Sequence, residues 1–255
     1  MEMFKVILLA IEQGITELLP ISSSAHLILT GKLIGLEADT YILALLHLGT
    51  TIAIVVYFAP TLFKEILQKD THSFYLKILV STIPAAVVGF FLQSIIEGIL
   101  RGEIFIALSL IFWGLVMILV ERKYKEKQES NLREISWKQS LTMGLAQIVA
   151  LIPGTSRSGI TTIAGILSGV NKYSALQYSF LLGIPILLGT SIYGIFKYSP
   201  QDGFNITHFV GIIVSSLFAY LALILLRNIK KEKWLSIFGY YRIFLGIVLL
   251  IVLFF

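Results

Sequence analysis

Two stretches of the chain decide its fold: Gln13-Gly-Ile-Thr-Glu17-Leu-Leu-Pro20-Ile-Ser-Ser-Ser-Ala-His26 and Ala146-Gln-Ile-Val-Ala-Leu-Ile-Pro153-Gly-Thr-Ser-Arg157-Ser-Gly159. Each sits in the middle of an apolar segment, 4–33 and 137–170, and breaks it with Pro, Gly and Ser. Each therefore reads as a helix, a non-helical elbow and a second, shorter helix. Irregular backbone at membrane depth is tolerated only where protein buries it or water fills a cavity beside it. The expectation is two re-entrant hairpins, each entering and leaving on one side of a bilayer.

The rest of the chain supplies the bilayer reading. Of 255 residues, 56% are hydrophobic and 14% charged, and the mean hydropathy is +0.87. Soluble domains carry about 25% charged residues, so this much apolar surface requires lipid as its solvent. Six further segments are long enough to cross, for which about 20 residues suffice. They are Tyr41–Ala59, Phe74–Leu92, Ile104–Val120, Tyr173–Phe196, Phe209–Leu226 and Ile237–Phe255. The N-terminal apolar stretch ending at Ile11 is short and lacks a cleavage signature, so it is not read as a removed signal peptide.

The two halves repeat, about 1–127 and 128–255, within one membrane domain. Pro20 lies over Pro153, Leu46-His-Leu-Gly49 over Phe180-Leu-Leu-Gly183, and Phe112-Trp-Gly114 over Phe244-Leu-Gly246. Each half holds a hairpin and three spans. A unit with an odd number of crossings inserts upside down when duplicated, and in such inverted repeats the broken segments mark the site. The fold expected is all-α and polytopic, with two inverted repeats.

Loop charge gives the orientation. Lys64 and Lys69, the run Arg122, Lys123, Lys125, Lys127, Arg133 and Lys138, and the group Arg227, Lys230, Lys231 and Lys233 alternate with loops holding only Arg101, or Asp202 beside Lys197. The positive-inside rule places the rich loops in the cytoplasm and both termini outside. The 20 Lys and Arg against 15 Asp and Glu thus report loops, not a nucleic-acid partner. With no cysteine, thiolate nucleophiles and Cys-ligated metals are excluded.

The elbows carry the chemistry. Ionisable groups at membrane depth are costly and mark function by default. Arg157, flanked by Thr155, Ser156, Ser158 and Thr161 and followed by a helix, suits an anion, because a helix N-terminus and a guanidinium fork both match phosphate oxygens. Gly154 and Gly159 let backbone approach a ligand. Gln13 and Glu17 are four apart and share a helix face, and their oxygens suit a hard divalent cation, Mg²⁺ or Ca²⁺. His26 is a candidate acid or base, since imidazole is the side chain suited to that role near neutral pH, and Ser23 is a nucleophile if a base stands beside it. The plainer reading gives Ser22–Ser24 to helix capping, His47 to structure and Lys77 to a snorkelling cation.

These two motifs, in this order and separation, closely resemble the signature motifs of the bacterial undecaprenyl-diphosphatase family linked to bacitracin resistance, and the resemblance covers essentially the whole chain. It implies hydrolysis of undecaprenyl diphosphate to undecaprenyl phosphate and inorganic phosphate, recycling the lipid carrier for peptidoglycan and other cell-wall polymers. It also implies an interdigitated inverted-repeat fold in the bacterial inner membrane and a divalent-metal requirement. Position by position, the Glu/Gln-x-x-x-Glu motif falls on Gln13 and Glu17, the Ser and His on Ser23 and His26, and the second motif on Ser156, Arg157 and Thr161. Many members have Glu where this chain has Gln13, so Glu12 is a further candidate ligand. Partners expected are a polyprenyl diphosphate, membrane lipid and, as an open option, a second copy of the chain. The rival reading is a transporter or flippase of a phosphorylated lipid or other anion; a structural scaffold leaves the buried charges unexplained.

Overall fold

A computed structural model of the chain describes residues 2–35, 40–66, 71–98, 102–125, 128, 131–198, 203–228 and 233–254. The loop residues Lys69, Arg101, Lys127, Asp202, Lys230 and Lys231 lie outside the described residues. Among those described, all regular structure is helical. Ten α-helices run in order: α1 Glu2–Leu18, α2 Ser23–Leu33, α3 Thr40–Ile66, α4 Thr71–Gly98, α5 Glu103–Lys123, α6 Trp137–Val149, α7 Arg157–Leu167, α8 Lys172–Lys197, α9 Ile206–Arg227 and α10 Trp234–Phe254.

Six of them, α3, α4, α5, α8, α9 and α10, are long and apolar enough to cross a membrane. They coincide with the six expected spans but run longer. The span expected to stop at Ala59 continues through Pro60 to Ile66, and α4 and α8 likewise pass through Pro84 and Pro185. A proline removes one hydrogen bond and kinks a helix, but in an apolar span the neighbouring groups re-satisfy the freed carbonyl, so it need not end there. Large apolar side chains face outward: Phe91, Phe112, Leu225, Phe244 and Val252 are each more than half exposed. Continuous exposed apolar surface of this kind requires a non-aqueous neighbour.

The helices form two compact units that cut across the sequence repeats. The first comprises residues 1–19, 23–71 and 183–228; the second comprises 20–22, 72–182 and 229–255. Each takes segments from both halves of the sequence.

In the first unit α9 is the spine, packed on by α1 and α3. Gly14 of α1 and Gly49 of α3 make this possible. A Cβ on Gly14 would lie 2.6 Å from Ser215 O, and one on Gly49 would lie 2.5 Å from Ile212 O. Small residues of this kind let helices associate in lipid, where apolar burial provides no drive. The result sets α1 and α3 on one helix, and with them Glu17 and His47.

In the second unit α5 and α10 pack along their length. Gly114 and Gly239 face each other, and a Cβ on either would lie 2.6 or 2.7 Å from the other's carbonyl oxygen. One end of this pair is closed by charge. Lys172 Nζ lies 2.6 Å from Glu121 Oε1, and Glu121 Oε2 accepts from the backbone N–H of Leu235 (2.9 Å) and Ser236 (3.3 Å). Glu121 thereby caps the first turn of α10, where a carboxylate is favoured by unpaired N–H groups and the helix dipole. A polar knot joins α4, α6 and α8: Ser140 Oγ lies 2.7 Å from Ser81 Oγ and 2.8 Å from Tyr178 Oη. Lys77 does not snorkel. It is buried, and its Nζ donates to Arg133 O (3.1 Å) and Ile135 O (2.8 Å), pinning the short 3₁₀ turn Leu132–Glu134.

Candidate active site

The first motif forms a turn dictated by Pro20. Proline disfavours helical backbone in the residue before it, and α1 ends at Leu18 accordingly. Ser22 then takes a positive φ of 75°, a left-handed conformation uncommon for a residue with a Cβ, and α2 starts at Ser23. The reversal brings Ser23 back against the end of α1. Its hydroxyl donates to Glu17 Oε2 at 2.7 Å. The same oxygen accepts from Gln13 Nε2 at 3.2 Å, one turn earlier on α1.

His47, read from sequence as structural, completes the group. Its Nε2 lies 3.6 Å from Glu17 Oε2, and its Nδ1 lies 2.7 Å from Leu43 O. A carbonyl only accepts, so Nδ1 carries the proton, and Nε2 is the nitrogen presented to the carboxylate. Gln13 is fully buried and Glu17 nearly so, at 0% and 7% exposed. Gln13 Oε1 is a buried acceptor with no hydrogen-bond partner among the described residues. Glu12 is engaged elsewhere, accepting from Thr30 Oγ1 of α2 at 2.6 Å. His26 is buried in α2, one turn beyond Ser23.

The second motif makes a matching corner, one residue longer. The first helix restarts three residues after its proline, at Ser23, and the second restarts four after, at Arg157. Ser156 has the positive φ here, 71°, and caps α7 by accepting from Gly159 N at 3.3 Å. Gly154 also has positive φ, 88°, and a Cβ on it would lie 2.8 Å from Ile106 O. Only glycine fits such a position without strain. Arg157, the first residue of α7, is half-buried, and its Nη1 donates to Ser179 O of α8 at 3.1 Å. Thr161 is fully buried, and its hydroxyl donates back to Arg157 O at 2.7 Å. That bond turns the hydroxyl into its own helix, where it braces the first turn.

One residue that the sequence reading passed over joins the two corners. Arg242 lies within α10, is 0% exposed, donates from Nη1 to Pro20 O at 3.1 Å and from Nη2 to Gly154 O. Pro20 and Gly159 are also in contact range: a Cβ on Gly159 would lie 3.4 Å from Pro20 Cβ. A signal was present, since Arg242 is an ionisable residue inside the apolar span Ile237–Phe255, and such residues are functional by default.

The arrangement supports two kinds of chemistry. A carboxylate that accepts a hydrogen bond from a serine hydroxyl is placed to draw its proton were that hydroxyl to attack. An arginine at a helix N-terminus, capped by a serine, favours a phosphate. For a cation the donors are the Glu17 carboxylate and the orphaned Gln13 oxygen. They fit the habit of Mg²⁺, which takes one or two protein oxygens and completes its shell with water and substrate phosphate. Among the described residues no cluster of three or more His, Cys, Asp or Glu offers a full protein cage.

Comparison with known proteins gives a consistent picture. Residues 6–248 match the family model described as bacitracin resistance protein BacA. The chain is 38% identical over 267 residues to undecaprenyl-diphosphatase 1 of Pseudoalteromonas translucida (strain TAC 125), covering 99% of each chain. It is 36% identical over 266 residues to undecaprenyl-diphosphatase 1 of Clostridioides difficile (strain 630), covering 98% of this chain and 96% of that one. It is 34% identical over 271 residues to an undecaprenyl-diphosphatase of Enterococcus faecalis, covering 98% and 97%.

Proposed function

The chain belongs to the bacitracin resistance protein BacA family, and from that premise we infer that it is a multi-pass membrane phosphatase that hydrolyses undecaprenyl diphosphate to undecaprenyl phosphate and inorganic phosphate. The observation that carries the chemistry is the 2.7 Å bond from Ser23 Oγ to Glu17 Oε2. Anion transport needs no serine held by a carboxylate, so hydrolysis is the reading favoured over the flippase.

In the mechanism proposed, Ser23 Oγ attacks the terminal phosphorus as its proton passes to Glu17. The Oγ–P bond forms while the bond from that phosphorus to the bridging oxygen breaks, and the polyprenyl monophosphate leaves. Water then cleaves the phosphoserine, releasing inorganic phosphate and restoring the Ser23 hydroxyl. His26 and His47 carry protons to and from this group. Arg157 and the Ser156-capped start of α7 hold phosphate oxygens and stabilise the charge that develops on them. Thr161, whose hydroxyl is committed to Arg157 O, keeps that first turn in shape. Glu17 and Gln13, with Glu12 as a further carboxylate, would hold Mg²⁺ or Ca²⁺, which when bound neutralises phosphate charge.

The membrane proposed is the bacterial inner membrane, with both termini extracytoplasmic and the two halves inserted in opposite senses. The described cations at the ends of spans, Arg122, Lys123, Lys125, Arg133, Lys138, Arg227 and Lys233, support that orientation. No nucleic acid is expected as a partner, and association into a homodimer is compatible with the plan.

The test is phosphate release from a polyprenyl diphosphate by purified protein in detergent, with and without EDTA, beside Glu17→Ala and Arg157→Ala. Release that needs the metal and both residues is the expected result. Release unaffected by either substitution would overturn the residue roles. No release by folded wild type across several metals and tail lengths would overturn the activity.

A further inference from the structure

Arg242 has no part in the chemistry just described, yet it is a fully buried guanidinium inside an apolar helix. Keeping a cation there is costly unless it does something that a neutral side chain cannot. Its partners say what that is. Both hydrogen bonds go to backbone carbonyls, Pro20 O of the first corner and Gly154 O of the second. Each carbonyl follows the break of a helix, where regular bonding has ended, and each accepts from the guanidinium instead. The rigid planar fork of arginine presents two donors at fixed separation, which a lysine ammonium does not.

We propose that Arg242 is a positioning residue: one guanidinium sets the spacing between the Pro20 and Gly154 carbonyls and so holds the two elbows in register. Glu17 and Ser23 lie three residues before and three after Pro20, and Arg157 lies three after Gly154. Within the second unit, fixing these two carbonyls therefore steadies the corner that carries Ser156 and Arg157, the residues assigned to phosphate binding. The catalytic consequence rests on the phosphatase reading; the spacing role does not.

The chain has no native cysteine, so the spacing can be read directly. Pro20→Cys with Gly159→Cys places two sulfurs on carbons about as close as a disulfide requires, roughly 3.5–4.5 Å between Cβ atoms. The new Cβ at 159 displaces only the flexible tip of Met117, 2.6 Å away. Because Pro20 shapes the first turn, the two backgrounds are compared only where the double-cysteine protein is itself monodisperse. Under a mild oxidant, loss of maleimide-reactive thiols in the monodisperse fraction reports how often the elbows meet. With Arg242 present the cross-link is expected to form readily, and in the Arg242→Gln background at least tenfold more slowly. Arg242→Lys carries the same comparison if the Gln variant does not yield monodisperse protein. In the cysteine-free chain, Arg242→Gln or Arg242→Lys is expected to lower phosphate release per folded molecule about 100-fold while Mn²⁺ binding, read by paramagnetic resonance, stays within threefold of wild type. Cross-linking within threefold in the two backgrounds would overturn the positioning role, whatever happens to activity. Turnover and Mn²⁺ binding falling together would also overturn it, in favour of a general loss of structure. Absence of phosphate release from wild type itself would instead sink the phosphatase reading, and the cross-linking rates would still decide the role of Arg242.

Discussion

Ser23 and Glu17 stand on opposite sides of one elbow, and the serine hydroxyl donates to the carboxylate at 2.7 Å. The relationship depends on Pro20 ending α1 and on Ser22 accepting a left-handed backbone, so that α2 turns back on the helix it follows. The proposed base and the proposed nucleophile thus lie only six positions apart in the chain.

Ser23→Ala is expected to lower phosphate release by at least about 100-fold, because the attacking hydroxyl is removed and only binding and charge stabilisation remain. The measurement is single-turnover phosphate release together with mass spectrometry of an acid-quenched digest. Wild type should show a phosphorylated Ser23 peptide. Undiminished release in the alanine variant, with solvent oxygen-18 in the phosphate, would transfer the attack to water.

Gln13→Glu adds a second carboxylate where a neutral amide now offers one unpartnered oxygen. Hard divalent cations bind more tightly as ligand charge rises. The concentration of Mg²⁺ or Ca²⁺ giving half-maximal activity should fall by about tenfold, and paramagnetic Mn²⁺ should bind correspondingly tighter. An unchanged metal requirement would remove this position from the cation site.

Gly154→Ala meets two obstacles, a φ of 88° and a Cβ position 2.8 Å from Ile106 O. A residue forced into an unfavourable backbone region costs about 1–3 kcal/mol. A lower unfolding temperature in detergent and a loss of activity are expected together. A variant as stable as wild type would mean that the elbow can shift to make room.

Lys172→Met leaves Glu121 as a buried carboxylate without its 2.6 Å partner. Breaking such a pair from one side costs about 3–5 kcal/mol, whereas replacing both partners costs much less. Thermal unfolding of Lys172→Met, Glu121→Leu and the double variant measures the coupling. Because Glu121 Oε2 also caps α10 at Leu235 and Ser236, the double variant should remain below wild type. Additive effects would show that the ion pair contributes nothing of its own.

Much of this protein was legible in its sequence because lipid is an undemanding reader: a span needs only length and apolar composition, and a break in a span shows as Pro, Gly and Ser. The six spans, the two broken hairpins at Pro20 and Pro153, and the corner residues Gly154, Ser156 and Arg157 all follow from that local logic. Helix ends were less legible, since Pro60 does not stop α3 in an apolar surrounding. Tertiary structure alone decided which residues meet. Gly14 and Gly49 let α1 and α3 close on α9, and only that packing sets His47 beside Glu17. Nothing in the order of residues says that Thr161 turns its hydroxyl into its own helix, or that Lys77 caps a turn instead of reaching for water. Arg242 and Pro20 stand at opposite ends of the chain, and their bond exists because α10 returns to the first elbow. Periodicity and composition act through neighbours along the chain, whereas the partner of a buried charge is chosen by whichever carbonyl the fold leaves unsatisfied.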